Sequence, residues 1–342
     1  MPNAPASLQP PAFGLRRILV IGPSNIGDAI LASGVVAALH QRFPEAHLTL
    51  VVGPRAIPLF TDDPRIQTLV DSGRYDSPLR RLRLAVALWR HRPHVVVDLR
   101  HTLYPLLLKP LSAWRYFRQP LRSIVHMRDR HLWKLGAQVP GLAGVGLLPE
   151  AARTTLWSTG KDAAHVEALC TRWRLTPPPA GLVIICPGAR SHIKRWTAEG
   201  FARVADRLIS EAKCEVVLSG EPDEKPVIEE IMGVMERRAH SAVGLTTVRQ
   251  LGLLMRQAQL VITNDSASLH LASALEVPTV AIFGPTDARK YGPTSARSRT
   301  IRRRLFCAPC EQPLCRFNHE CMRFITADEV YEAAKQLLGA RG

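Results

Sequence analysis

No stretch of the chain reaches the ~18 uninterrupted apolar residues that a membrane-spanning helix needs. The amino terminus, "MPNAPASLQPPAFG", has no basic region followed by an apolar run, so it does not read as a secretory signal. Its Pro and Ala content reads instead as a disordered tail over residues 1–14, and the cytoplasm is the expected compartment. No Gly-x-Gly-x-x-Gly and no Gly-Lys-Ser/Thr follows the first strand, which argues against a nicotinamide cofactor and against a P-loop. There is no Asp-x-Asp pair, so no catalytic Mg²⁺ is expected and no cofactor for catalysis. Acidic residues are scarce, 29 against 45 Lys and Arg, which leaves a formal net charge of +16 at pH 7. That surplus suits nucleic acid, an anionic membrane face or a phosphorylated substrate. The basic residues are scattered and not interleaved with aromatics, so nucleic acid is not the expected partner.

A chain of 342 residues is too long for one ordinary core and fits two domains. "RRILVIG" (residues 16–22), "HLTLVVG" (47–53) and "HVVVDLR" (94–100) are short apolar runs that read as buried parallel strands. Helical stretches over residues 28–39 and 77–93 alternate with them. After "RLTPPPAG" (174–181) the rhythm repeats with "LVIICPG", "CEVVLSG", "AQLVITND" and "PTVAIFG". Three consecutive prolines cannot lie inside a helix or central strand, so this stretch is the expected linker. The expected architecture is α/β, two Rossmann-like doubly wound domains facing a central cleft. The expected boundaries are 15–173 for the first domain, 174–181 for the linker, 182–325 for the second and 326–342 for a C-terminal helix. Ligands in such sheets sit at the carboxyl ends of the strands.

Three polar breaks fall at such ends. "PSNIGD" opens the first helix at Asp28. "PGARSHIKRW" carries Arg190, Ser191 and Lys194 and suits a diphosphate. "NDSASLH" brings Asp265, Ser266 and His270 to the start of a helix, whose free N–H groups and dipole favour an anion. In that stretch Asp265 also reads as a helix cap and His270 as a core histidine. The next strand ends in "FGPTD", where Gly284 permits close backbone approach and Thr286 adds a hydroxyl. Four cysteines, Cys307, Cys310, Cys315 and Cys321, have the spacing of a small structural zinc knot, with reduced or paired thiols as the alternative. Cys170, Cys186 and Cys214 read as core residues.

"IGDAIL", "KRW", "NDSASLHLASALEVPTVAIFGPTD" and the terminal "CAPC…C…CM…I" together resemble the lipopolysaccharide heptosyltransferases, GT-B glycosyltransferases that use ADP-heptose. The resemblance runs from about residue 16 to residue 338. It implies an acceptor-binding first domain, a nucleotide-sugar-binding second domain and inverting transfer. It places the proposed general base on Asp28, the phosphate-contacting lysine on Lys194, and the donor site on Asp265, Ser266, Ala267 and His270. It also implies an acidic residue near the adenosine ribose, Glu221 or Glu224, and a final helix over residues 326–338 that packs back on the first domain. The helix start favours the charged form of Asp28, so placement must carry its work as a base. The chain departs from the family pattern at Ala267, where glycine is usual, at Ala189-Arg190, where paired threonines are common, and at Ser33-Gly34, where a proline is expected. The expected partners are a nucleotide-sugar donor and a phosphorylated glycolipid acceptor, with peripheral contact to the anionic inner membrane through "RRLR" (80–83) and "RRR" (302–304). A GT-B enzyme with another donor, or a basic nucleic-acid binder, is the alternative.

Overall fold

A computed structural model describes residues 14–139, 142, 156–175 and 181–339. Most of the expected tail, part of the expected linker and residues 340–342 lie outside the described residues. Contacts group the chain into two units. One comprises Met1–Asn25, Ala32–Ile124 and Arg128–Arg153; the other comprises Ile26–Leu31, Val125–Met127 and Thr154–Gly342.

The first unit is built on a four-stranded parallel sheet of β1 (Arg17–Ile21), β2 (His47–Val52), β3 (Thr68–Asp71) and β4 (Val95–Asp98), in the order β3-β2-β1-β4. Its helices are α1 (Ile26–Arg42), whose first turn groups with the second unit, α2 (Ile57–Phe60), α3 (Pro78–Arg90), α4 (Tyr104–Leu108) and α5 (Met127–Gln138). The middle strands are apolar along their length because both faces are covered, as a parallel sheet requires. Helix α1 starts two residues before the expected Asp28, with Asn25 at its N-cap, so Asp28 occupies the first turn and is not the cap.

The second unit begins with α6 (Gly160–Arg172). Then come β5 (Leu182–Cys186), α7 (Ala198–Ser210), β6 (Glu215–Leu218), α8 (Lys225–Val234), β7 (His240–Ser241), α9 (Val248–Gln257) and β8 (Leu260–Asn264). It ends with α10 (Ala267–Ala274), β9 (Thr279–Phe283), α11 (Ala288–Tyr291), β10 (Ser298–Arg302), α12 (Glu320–Arg323) and α13 (Ala327–Gly339). Its six strands are parallel in the order β10-β9-β8-β5-β6-β7. Chain order reverses between β5 and β8, the switch point of a doubly wound sheet.

Two boundaries differ from the sequence expectation. Helix α6 packs on α9 within the second unit, and its capping carboxylate, Asp162, is held by Arg249 at 3.3 Å and by Gln250 at 3.3 Å. The C-terminal helix α13 packs on α7, β8, β9 and β10 within the second unit. Val330, Tyr331, Ala334 and Leu337 join the core cluster that contains Phe201, Ile262 and Val280, because one face of α13 is apolar at helical spacing. Cys170, Cys186 and Cys214 are buried, as expected of core residues.

Candidate active site

The carboxyl ends of β5 and β8 lie side by side at the switch point, and Asn264, the last residue of β8, ties them together. Its amide Nδ2 donates to the Pro187 carbonyl at 2.6 Å, and its Oδ1 accepts from the Trp196 backbone N–H at 3.1 Å. The Trp196 indole N–H in turn donates to the Ile325 carbonyl at 3.0 Å. Asn264 is fully buried, so these bonds satisfy groups that water cannot reach. They hold the cationic loop after β5 as a short 3-10 turn over His192–Lys194. From that turn Lys194 Nζ donates to Asp265 Oδ2 at 2.6 Å.

Asp265 is therefore half of an ion pair and does not cap the following helix. The N-cap of α10 is Ser266, whose side chain makes no capping hydrogen bond. Its hydroxyl lies 3.3 Å from that of Thr263. The first turn of α10 thus keeps its backbone N–H groups directed beyond the end of β8, the geometry that attracts an anion. Beneath it, burial pushes the Cys186 thiol up to about 12, so it remains a neutral core residue.

His270, one turn into α10, is buried, and desolvation lowers its pKa to about 4 despite the nearby carboxylates of Asp265 and Asp28. The imidazole is neutral at pH 7. The same environment contains Lys194 and His126, so four charged or titratable groups converge on this ring. The first turn of α1 presses on the same spot. A Cβ at Gly27 would lie 3.0 Å from His270 Cδ2 and 3.5 Å from the Ala267 Cα, so only glycine leaves the approach relaxed. Asp28 follows directly. His126, whose Nε2 donates to the Gly292 carbonyl at 3.0 Å, and Tyr291, whose ring centre is 6.4 Å from that of His270, complete the surroundings. Burial raises the Tyr291 pKa, with Asp28 adding to the effect. No local pattern marks His126 or Tyr291, because their neighbours are distant along the chain.

The other expected residues divide. Arg190 is exposed and Ser191 half-buried on the loop that carries Lys194. Of the two carboxylates expected near a ribose, Glu221 is exposed, whereas Glu224 folds back over the strand ends. Glu224 accepts from the Glu221 N–H at 2.9 Å and fills the space that a side chain at Gly188 would occupy. Burial raises the Glu224 pKa, and Arg195 offsets part of that. Glu224 rather than Glu221 therefore stands at the β5 and β6 ends. The space for a side chain at Gly284 is taken by Met322 and Cys321, a demand of core packing. Gly284 and Thr286 also line a pocket with Arg302, Arg303 and Arg304.

The four clustered cysteines, remote in sequence from Lys194, are close to its loop in space. They line one cavity with His319, Pro285 and Ile193, the neighbour of Lys194. The rings of His192 and His319 meet edge-on at 5.7 Å. Burial pushes the Cys321 thiol up to about 11, and Cys315, Cys307 and Cys310 add to the effect. All four are free thiols. Among the described residues no group of three or more His, Cys, Asp or Glu side chains is disposed to hold a metal ion. This arrangement does not fit the zinc knot suggested by the spacing.

Residues 157–320, which include Lys194, Glu224, Asp265, His270 and Tyr291, match the sequence profile of glycosyltransferase family 9 (heptosyltransferase). The chain carries a glycosyltransferase family 9 domain over these residues. It is 26% identical over 312 residues to lipopolysaccharide heptosyltransferase 2 of Salmonella typhimurium, covering 84% of this chain and 88% of that one. In fold it is similar to a solved ADP-heptose lipopolysaccharide heptosyltransferase II of Escherichia coli, with a TM-score of 0.72 and 23% identity over 95% of this chain and 99% of that one. It is similar also to a family 9 glycosyltransferase of Veillonella parvula, with a TM-score of 0.78 and 22% identity over 96% and 99% of the two chains. The protein is thus an α/β protein of the GT-B class with two parallel sheets. Among its described residues no helix is long and apolar enough to cross a membrane.

Proposed function

We propose that this glycosyltransferase moves heptose from ADP-heptose to a phosphorylated lipopolysaccharide-core acceptor, with inversion and without a metal. The observation that carries the reading is the convergence on His270 of Asp28, Asp265 and Lys194, at the start of two helices and at the switch point of the second sheet. The relatives' names support the donor and acceptor, and the lack of an Asp-x-Asp pair supports metal independence.

Asp28 takes the proton from the acceptor hydroxyl as that oxygen forms its bond to the anomeric carbon. The bond from that carbon to the diphosphate oxygen breaks on the opposite face, and ADP leaves with the electron pair. Lys194, Arg190, Ser191 and the N–H groups of Ser266 and Ala267 stabilise the charge gathering on the diphosphate. Asp265 orients the Lys194 ammonium. Neutral His270 fills the space between the carboxylates without adding a second cation, and Glu224 receives the ribose hydroxyls. The "RRR" segment (302–304), in its pocket with Thr286, meets acceptor phosphate. The acceptor is anchored in the anionic inner face of the membrane.

A calorimetric panel of ADP-heptose, ADP-glucose, UDP-N-acetylglucosamine and GDP-mannose tests this reading. Preference for the ADP sugars, with product formed only from ADP-heptose, is the expected result. Preference for a uridine or guanosine donor would replace the heptosyl reading with another GT-B activity.

A further inference from the structure

Helix α3 is apolar on two opposite faces. Leu84, Ala85 and Leu88 point inward, while Leu79, Leu82, Val86 and Trp89 form a second stripe at i, i+3, i+7 and i+10 that faces solvent. Leu79 is 74% exposed and Trp89 62% exposed. The 3-10 segment Pro110–Phe117 repeats the pattern: Tyr116 is buried, while Leu111 is 97% and Trp114 60% exposed, and Phe117 is exposed beside them. Leu84 and Leu88 of α3, Leu108 of α4 and Tyr116 of the 3-10 segment belong to one core cluster over Leu19, Val51 and Val96 of the first sheet. The three elements are therefore anchored together on that core, and their outer side chains project away from it.

Exposed Trp, Leu and Phe at this density are costly in water unless something covers them. The charge pattern around them selects the covering. Residues 78–122 contain ten Lys and Arg, among them Arg80, Arg81, Arg83 and Arg90 of α3, and a single carboxylate, Asp98, which is buried. The exposed carboxylate next to this segment, Asp76, is paired with Arg80 at 3.2 Å, so the other arginines dominate the face. Apolar stripes interleaved with arginine and poor in exposed acids are the signature of a surface that lies in a lipid interface, aromatic rings at the headgroup level and guanidinium groups on the phosphates. A second copy of the chain would bring the same cations face to face.

We propose that the outer face of α3 and the 3-10 segment Pro110–Phe117 is a membrane-docking surface that takes an anionic bilayer. The surface stands on its own geometry; its purpose, presentation of the enzyme to a lipid-anchored acceptor, rests on the functional reading above.

The full chain is tested by sedimentation with vesicles of phosphatidylcholine alone or mixed with phosphatidylglycerol. Binding to the anionic vesicles only, at least roughly tenfold weaker in high salt, is expected. The triple variant Trp89→Ser/Leu111→Ser/Trp114→Ser loses that binding by roughly tenfold or more. It retains the wild-type melting temperature and full transfer to a soluble, lipid-free acceptor, because the altered side chains are exposed. Equal binding to uncharged vesicles, or unchanged binding by the triple variant, overturns the proposal. So does sedimentation of the free protein as a dimer that the triple variant dissociates. Vesicle binding without heptosyl transfer leaves the docking surface standing and removes the functional reading, and transfer without vesicle binding does the reverse.

Discussion

Replacing Lys194 with methionine separates the two tasks assigned to that cation. The ammonium donates to Asp265 at 2.6 Å; the lysine side chain is 33% exposed and that of Asp265 only 5%. Removal of the lysine strands a buried carboxylate. The cost lies between that of an exposed pair, up to about 1 kcal/mol, and that of breaking a buried one, about 3–5 kcal/mol. The intermediate exposure points to about 2 kcal/mol. A diphosphate loses one charge-assisted hydrogen bond, worth about 1.5–3 kcal/mol, so ADP affinity should fall roughly 10- to 150-fold. Calorimetry on wild type, Lys194→Met, Asp265→Asn and the double variant distinguishes these effects. Asp265→Asn leaves the cation in place and should weaken ADP only a few-fold, whereas the double variant should recover stability relative to Lys194→Met without recovering affinity. If Lys194→Met binds ADP as tightly as wild type, the lysine serves only its internal pair and the diphosphate assignment fails.

Two further outcomes follow from the same region. The folded-state pKa of His270 is depressed to about 4 from 6.5, so the unfolded chain takes up a proton that the folded chain refuses. The stabilising difference is present above pH 6.5 and is lost as pH falls toward 4, by about 3 kcal/mol at most. Melting temperatures of wild type and His270→Gln across this range should converge toward low pH, and parallel curves would show that the histidine is not buried neutral. Asn264→Leu keeps the volume but strands the buried Trp196 N–H and Pro187 carbonyl. A loss of about 2–5 kcal/mol is expected in urea unfolding, and a loss below about 0.5 kcal/mol would show that water or a shifted loop replaces the amide.

What was legible in the sequence is what local pattern determines. The apolar runs became buried parallel strands because a sheet covered on both faces leaves no solvent side to mark with polar residues. Asp265 and Lys194 were each found at a strand end, but their pairing spans 71 residues and no local rule couples them. Asp265 read as a cap because a carboxylate before a helix usually is one; a lysine brought by the neighbouring strand outcompetes the helix N–H groups for it. Glu221 and Glu224 were indistinguishable until the turn showed which one folds over Gly188. Gly284 suggested a ligand because glycine marks any close approach, and here the approaching atoms are those of Met322 and Cys321. Helix α13 carried an apolar face, but a face does not name its partner; packing on β8, β9 and β10 does. The buried Asn264 stands in the sequence as one polar residue among many, and only its two bonds reveal that it holds the Lys194 loop.

The most direct measurement is steady-state transfer by Asp28→Asn set beside its ADP affinity. The substitution keeps the shape of the first turn of α1 and removes only the capacity to accept a proton. Turnover should fall by roughly 10²–10⁴-fold while the Kd for ADP stays within about threefold of wild type. Turnover near the wild-type rate would contradict the assignment of the base and, with it, the placement of acceptor chemistry at the start of α1.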